Sequence, residues 1–126
     1  MTEKSPKKIL IAEDEKAYSR ALVLKLQNAG FEAESVENGE KALESIKNGN
    51  FDLLLCDLVM PRMNGFELLE EIQKQGLKIS VIGLSNLSNK DDEKKMRTAG
   101  AIDFISKSNT PIIDVIKKIE DFFTKK

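Results

Sequence analysis

Five short apolar runs alternate with five stretches of helical periodicity, and this alternation limits the chain's possible folds more than any other feature. The runs are Lys8-Ile-Leu-Ile-Ala12, Phe31 to Val36, Asp52 to Cys56, Ile79 to Leu84 and Ala101 to Ser106. Between the first two, Tyr18, Leu22, Leu26 and Ala29 recur at helical spacing from Glu15 until Gly30 stops the helix. Asn38 then caps a helix with Ala42, Leu43 and Ile46 inward, ending near Asn48-Gly49. The third run is apolar throughout, the signature of a strand buried on both faces. A loop with Met60-Pro61 follows, then a helix from Gly65 with Phe66, Leu69 and Ile72 on one side. Ser88-x-x-Asp91 forms a capping box for the fourth helix, which Gly100 ends. Thr110-Pro111, a cap followed by a first-turn proline, opens the last helix with Ile112, Ile116, Ile119 and Phe123. The pattern is (βα)5 with no repeat, low-complexity tract or linker. Right-handed crossovers make that an α/β fold, a parallel five-stranded sheet covered by helices on both faces. Pattern alone leaves the strand order open.

The 126 residues suit one domain, residues 1–126 with a core from about 7 to 123. The fourth helix differs from its fellows. Met96 and Ala99 are nearly its only apolar residues, so it is expected to be weakly anchored: either a candidate for movement or partner contact, or a solvated surface helix held by caps and dipole charges.

Chemistry-bearing residues fall at the carboxyl ends of strands. Glu13 and Asp14 follow the first run, Asp57 the third, Ser85 the fourth, and Lys107 the fifth. In an open parallel sheet these ends share one edge, where ligands bind. Three converging carboxylates without a cation would repel one another. Magnesium prefers oxygen ligands and keeps positions for water and phosphate, so Glu13, Asp14 and Asp57 can supply two direct carboxylates and one acting through water. Asp57 is then placed to attack phosphorus and form an acyl phosphate, with the metal and Lys107 stabilising charge. Each residue alone reads as a cap, a turn former or a solvated charge. Their joint order at successive strand ends makes the functional reading the stronger one.

Composition removes other classes. Charged residues make up 33% of the chain but nearly balance, leaving a net charge of −1 and no field for nucleic acid or an anionic membrane. With no histidine, His-based acid–base catalysis and most zinc sites are excluded. The lone Cys56, inside an apolar strand, reads as a buried inert thiol and fits a reducing compartment. No apolar stretch approaches the roughly 20 residues of a membrane span, and a cytoplasmic location is expected.

The whole chain resembles the receiver domain of bacterial two-component response regulators, closest in layout to the single-domain chemotaxis type. The matching stretches are Ile9-Leu-Ile-Ala-Glu-Asp-Glu15, Asn38-Gly-Glu-Lys-Ala-Leu43, Asp52-Leu-Leu-Leu-Cys-Asp-Leu-Val-Met-Pro61, Met63-Asn-Gly-Phe-Glu-Leu-Leu69 and Ala99-Gly-Ala-Ile-Asp-Phe-Ile-Ser-Lys107. The resemblance implies a flavodoxin-like 2-1-3-4-5 strand order, for which a chemotaxis receiver is itself a standard example. It implies that Asp57 accepts a phosphoryl group from a histidine kinase's phosphohistidine or from a phosphotransfer protein. Asp14 and Asp57 would bind Mg2+ directly and Glu13 through water, with the backbone carbonyl of Val59 as a further ligand. Ser85 takes the switching-hydroxyl position, Lys107 the phosphate-pairing position and Phe104 the aromatic-switch position. Charge-assisted hydrogen bonds from Ser85 and Lys107 would total roughly 3–6 kcal/mol. Moving a population from 1:99 to 99:1 takes about 5.5 kcal/mol, so the two contacts are of the scale a switch needs. The output is then a changed face of the fourth helix, fifth strand and fifth helix, for a downstream protein or a phosphorylation-dependent homodimer. The only reactions catalysed would be the domain's own phosphorylation and slow dephosphorylation.

Three departures stand out. Ser108 follows Lys107 where the family usually has proline, often after a cis bond; before a non-proline residue that bond costs about 2.5–4 kcal/mol. Asn86 follows Ser85 where a small residue is usual. Val59 and Leu87 are apolar where receivers commonly aim the hydrolytic water, so a long-lived phosphoryl group is expected. The alternative is a receiver-fold module that binds partners without phosphorylation. A haloacid-dehalogenase-like phosphatase would want a second acid at Val59, and a flavin-binding module would meet the repulsion of Glu13-Asp14.

Overall fold

The computed structural model describes residues 6–86 and 90–124. Strands β1 (Lys8–Ala12), β2 (Glu32–Val36), β3 (Leu53–Asp57), β4 (Ser80–Ser85) and β5 (Asp103–Ser106) alternate with helices α1 (Lys16–Asn28), α2 (Gly39–Asn48), α3 (Gly65–Lys74), α4 (Lys90–Thr98) and α5 (Ile112–Thr124). All strand pairs are parallel, in the order β2-β1-β3-β4-β5. The flavodoxin-like (βα)5 expectation holds in full.

Side-chain alternation along each strand divides the core into two layers. Leu10, Leu54, Cys56 and Val81 face α2, α3 and α4, where they meet Ala42, Ile46, Leu68, Leu69, Ile72 and Met96. Ile9, Ile11, Leu53, Leu55, Ile82 and Ile105 face α1 and α5, and meet Leu22, Leu26, Val115, Ile116 and Ile119. Every residue of β3 is buried because it is central and covered on both faces, which is why its sequence carries no polar alternation.

Boundaries shift by a residue or two, as helix and strand ends do. Ala29 is a correction: it is exposed and caps α1, because Gly30 turns the chain with φ +99° before another helical turn can bring residue 29 inward. Pro111 lies just outside α5, its carbonyl accepting from the N–H groups of Asp114 and Val115, so it is the cap where the sequence suggests a first-turn residue. Leu68 and Val115, fully buried, broaden the apolar stripes of α3 and α5. The Ser88–Asp91 capping box and Leu87 lie outside the described residues.

The loop between β3 and α3 is pinned at several points. Leu58 and Met60 turn into the core, and Arg62 takes a left-handed φ of 69°. Asn64 and Glu67 form a reciprocal capping box on α3. Gly65 is required by a close approach: a Cβ there would lie 2.6 Å from the Asp57 carbonyl oxygen. These constraints hold the end of β3, and with it Asp57, in one place.

Candidate functional site

The sheet order sets β1, β3, β4 and β5 side by side, and their carboxyl ends carry the expected residues to one edge. Asp57 and Ser85 are the last residues of β3 and β4. Glu13 and Lys107 lie one step past β1 and β5, where the ladder still continues. The Glu13 N–H donates to the Val36 carbonyl at 3.0 Å, and the Lys107 N–H to the Ser85 carbonyl at 2.7 Å. Glu13, Asp57, Ser85 and Lys107 are buried, whereas Asp14 is exposed at the mouth.

Lys107 spans the edge. Its Nζ donates to Glu13 Oε1 at 2.7 Å, Glu15 Oε1 at 2.6 Å and Asp57 Oδ2 at 3.3 Å. The ammonium also sits 4.8 Å from the centre of the Tyr18 ring, a cation–π distance. The Ser108 departure therefore does not keep the lysine from Asp57. No cis peptide bond occurs among the described residues. The turn after β5 is tied instead by Ser108 Oγ, which donates to the Asn86 carbonyl at 3.1 Å.

Electrostatics follow from burial. Glu13 is 2% exposed, and desolvation pushes its carboxyl up to about 7 although Lys107 and the Glu15 N–H both favour the charged form. Burial pulls the Lys107 ammonium down, but hydrogen bonds to Glu13 and Glu15 outweigh it and hold the group above its ordinary value. Contact with Lys107 lowers Glu15. The Cys56 thiol is fully buried, and desolvation raises it far above its ordinary value, so it stays a thiol.

Glu13, Asp14 and Asp57 each offer a carboxylate oxygen, all within 4.8 Å of one another. Their donor chemistry fits a hard divalent cation: all oxygen, few carboxylates, and an exposed Asp14 that leaves the mouth open to water and phosphate. Val59 stands at that mouth, 69% exposed, its N–H donating to Asp57 Oδ1 at 3.3 Å. Phe104 is half-buried and packs against the α2–α4 layer. A Cβ on Gly83 would lie 3.1 Å from its ring and 2.5 Å from Met96 Cε, so the missing side chain at Gly83 is what admits both.

Sequence reasoning missed Glu15 and Tyr18 as site residues. Glu15 caps α1 from an extended conformation and Tyr18 sits in the helix's apolar stripe, so neither carried a local signal of the lysine it meets.

The sequence matches the family described as "Response regulator receiver domain" over residues 9–120. The Regulator of RpoS from Escherichia coli K12 is 34% identical over 117 residues, covering 93% of this chain and 34% of that protein. The transcriptional regulatory protein DltR of Streptococcus agalactiae is 31% identical over 100 residues, 79% of this chain and 45% of its own length. The chain thus spans less than half the length of these curated relatives. Among solved structures, a CheY-like receiver domain protein from Methanospirillum hungatei has a TM-score of 0.87 at 29% identity, with 96% of each chain covered. The phosphorylated cyanobacterial phytochrome response regulator RcpA has a TM-score of 0.81 at 30% identity, with 95% of each covered.

Proposed function

The chain belongs to the response regulator receiver domain family, and from that premise we propose that Asp57 accepts a phosphoryl group in a phosphorelay. A carboxylate oxygen of Asp57 attacks phosphorus, the P–N bond of a phosphohistidine breaks, and the imidazole leaves as an acyl phosphate forms. Glu13, Asp14 and Asp57 would hold Mg2+, with the Val59 carbonyl as a further ligand. When bound, the ion neutralises charge on the transferring group. Ser85 donates its hydroxyl to a phosphoryl oxygen, and Lys107 pairs with another. Phe104 then turns into the space that Ser85 vacates as its hydroxyl is drawn to the phosphoryl group, altering the face made by α4, β5 and α5. That face would meet a downstream protein or a second copy of the chain; the donor is a sensor histidine kinase or phosphotransfer protein. The 126 residues are read as one receiver unit acting in the cytoplasm. No helix among the described residues is long and apolar enough to cross a membrane.

The observation that carries this reading is Lys107 Nζ, delivered from β5 to within 3.3 Å of Asp57 on β3. It also weighs against signalling by binding alone, because Ser108 has not displaced the phosphate-pairing lysine. The similarity to RcpA, solved in its phosphorylated form, points the same way.

The test is intact mass after incubation with acetyl phosphate and Mg2+, and separately with phosphoramidate as a P–N donor. One phosphoryl group should be gained, and lost in Asp57→Asn or with EDTA. No gain from either donor would turn the reading toward a phosphorylation-independent module. The same sample times the decay: a half-life of seconds would contradict the long-lived phosphoryl group expected from apolar Val59 and Leu87.

A further inference from the structure

An ammonium has three N–H donors, and each of those on Lys107 already has a carboxylate. Phosphorylation turns the Asp57 carboxylate into an acyl phosphate, so its contact, at 3.3 Å the longest of the three, passes to the phosphoryl group, and the lysine can close on that group only as far as Glu13 or Glu15 lets go. They are not equal. The Glu13 side chain is fully buried and that of Asp57 nearly so, but the Glu15 side chain is 53% exposed. A carboxylate released into water is resolvated at once, whereas one released inside the fold is not. Glu15 is therefore the partner that yields.

Glu15 is also held in place. The Asn86 side chain adds a minor share to the lowering of the Glu15 carboxyl, after Lys107, and the Asn86 carbonyl accepts from Ser108 Oγ. Two of the positions at which the sequence departs from its family thus meet in one network around a third residue, Glu15. Tyr18, one turn along α1, closes the remaining side of the ammonium with its ring.

We propose that Glu15, braced by Asn86, is a positioning residue that holds Lys107 in the resting state and competes with the phosphoryl group for it. The competition rests on the proposed phosphoryl chemistry of Asp57; the resting tether does not. Entry of the phosphoryl group exchanges the Glu15–Lys107 pair for a Lys107–phosphoryl pair, and the Glu15 carboxylate swings into solvent.

The experiment has two readouts on wild type, Glu15→Gln and Asn86→Ala. The first is the 15N-detected Lys107 ammonium signal of the protein without metal or phosphoryl analogue. It should be slow to exchange in wild type and broadened or lost in Glu15→Gln. The second is binding of beryllium fluoride with Mg2+, which should tighten by up to about fivefold in Glu15→Gln, the upper end for an ion pair with one exposed partner. Asn86→Ala, which leaves every charge in place, should move both readouts the same way by less. An unmoved ammonium signal in Glu15→Gln overturns the tether. Tighter binding in Glu15→Gln with Asn86→Ala unmoved in both readouts also overturns it, since a lost charge then explains everything. Equal binding by all three proteins overturns the competition alone. No binding by any of them strikes the receiver chemistry and the competition with it, while the ammonium signal still reports on the tether.

Discussion

Helices α4 and α5 both pack beside β5, yet they are held by opposite means. α5 buries Val115, Ile116 and Ile119 against the α1 side of the sheet. Its end carries Phe123, whose ring centre lies 5.6 Å from that of Phe31 and 4.9 Å from that of Phe122. α4 buries Met96 alone among its described residues and is otherwise fastened by polar ties. Gln73 Nε2 donates to the Ala99 carbonyl at 2.6 Å, and Arg97, paired within the helix to Glu93 at 3.0 Å, reaches Asp103 of β5 at 3.1 Å. Hydrophobic burial is non-directional and is lost only by leaving the core, so it makes α5 a fixed wall. Exposed hydrogen bonds and ion pairs can be exchanged one at a time with water, so α4 can shift without unfolding. Met96, its single apolar anchor, rests on Gly83 beside Phe104, the ring expected to move. One strand thus separates a scaffold from a movable element.

Truncating each anchor tests this contrast, and the largest effect belongs to α5. Ile119→Ala should cost about 2–5 kcal/mol of global stability in urea unfolding, because a fully buried side chain is removed from a wall that cannot collapse. Met96→Ala removes an equally buried side chain but should cost under about 2 kcal/mol globally, since local opening of α4 limits the loss. Its signature should appear in hydrogen exchange, as faster exchange across 90–98 with α5 unchanged. A Met96→Ala cost equal to that of Ile119→Ala would remove the distinction between wall and movable element.

How much of this was legible beforehand depends on whether a residue's partner is local or distant. Periodicity reveals what each segment does with its own faces, and so the five strands, the five helices and the poor apolar face of α4 could all be read. The strand-end rule needed only topology, and it brought Glu13, Asp57, Ser85 and Lys107 to one edge. What stayed hidden were pairings across long sequence separation. Nothing local marks Glu15, 92 residues from Lys107, as its partner. Tyr18 fits the apolar stripe of α1 and packs against that core layer, but no pattern shows that its ring also lies under an ammonium. Ala29 failed for a different reason: helical spacing continued past the point where Gly30 ends the helix. Ser108 and Asn86 were legible only as departures, and their compensating contact required the loops to be placed in space.

The smallest expected effect sharpens the contrast most. Asp103 of β5 is shared by the two helices, its Oδ1 lying 3.1 Å from Arg97 of α4 and its Oδ2 3.8 Å from Lys118 of α5. All three side chains are at least a third exposed, so each pair contributes little, about 0.2–1 kcal/mol, and less at high salt. Arg97→Ala should therefore barely change the unfolding midpoint while speeding exchange in α4, because the same arginine also fastens the Ile102 carbonyl at 3.2 Å. Lys118→Ala should leave both helices as they were, since α5 is already held by its buried face. If Lys118→Ala loosened α5 as much as Arg97→Ala loosens α4, polar ties would be anchoring both helices, and only the number of buried side chains would separate them.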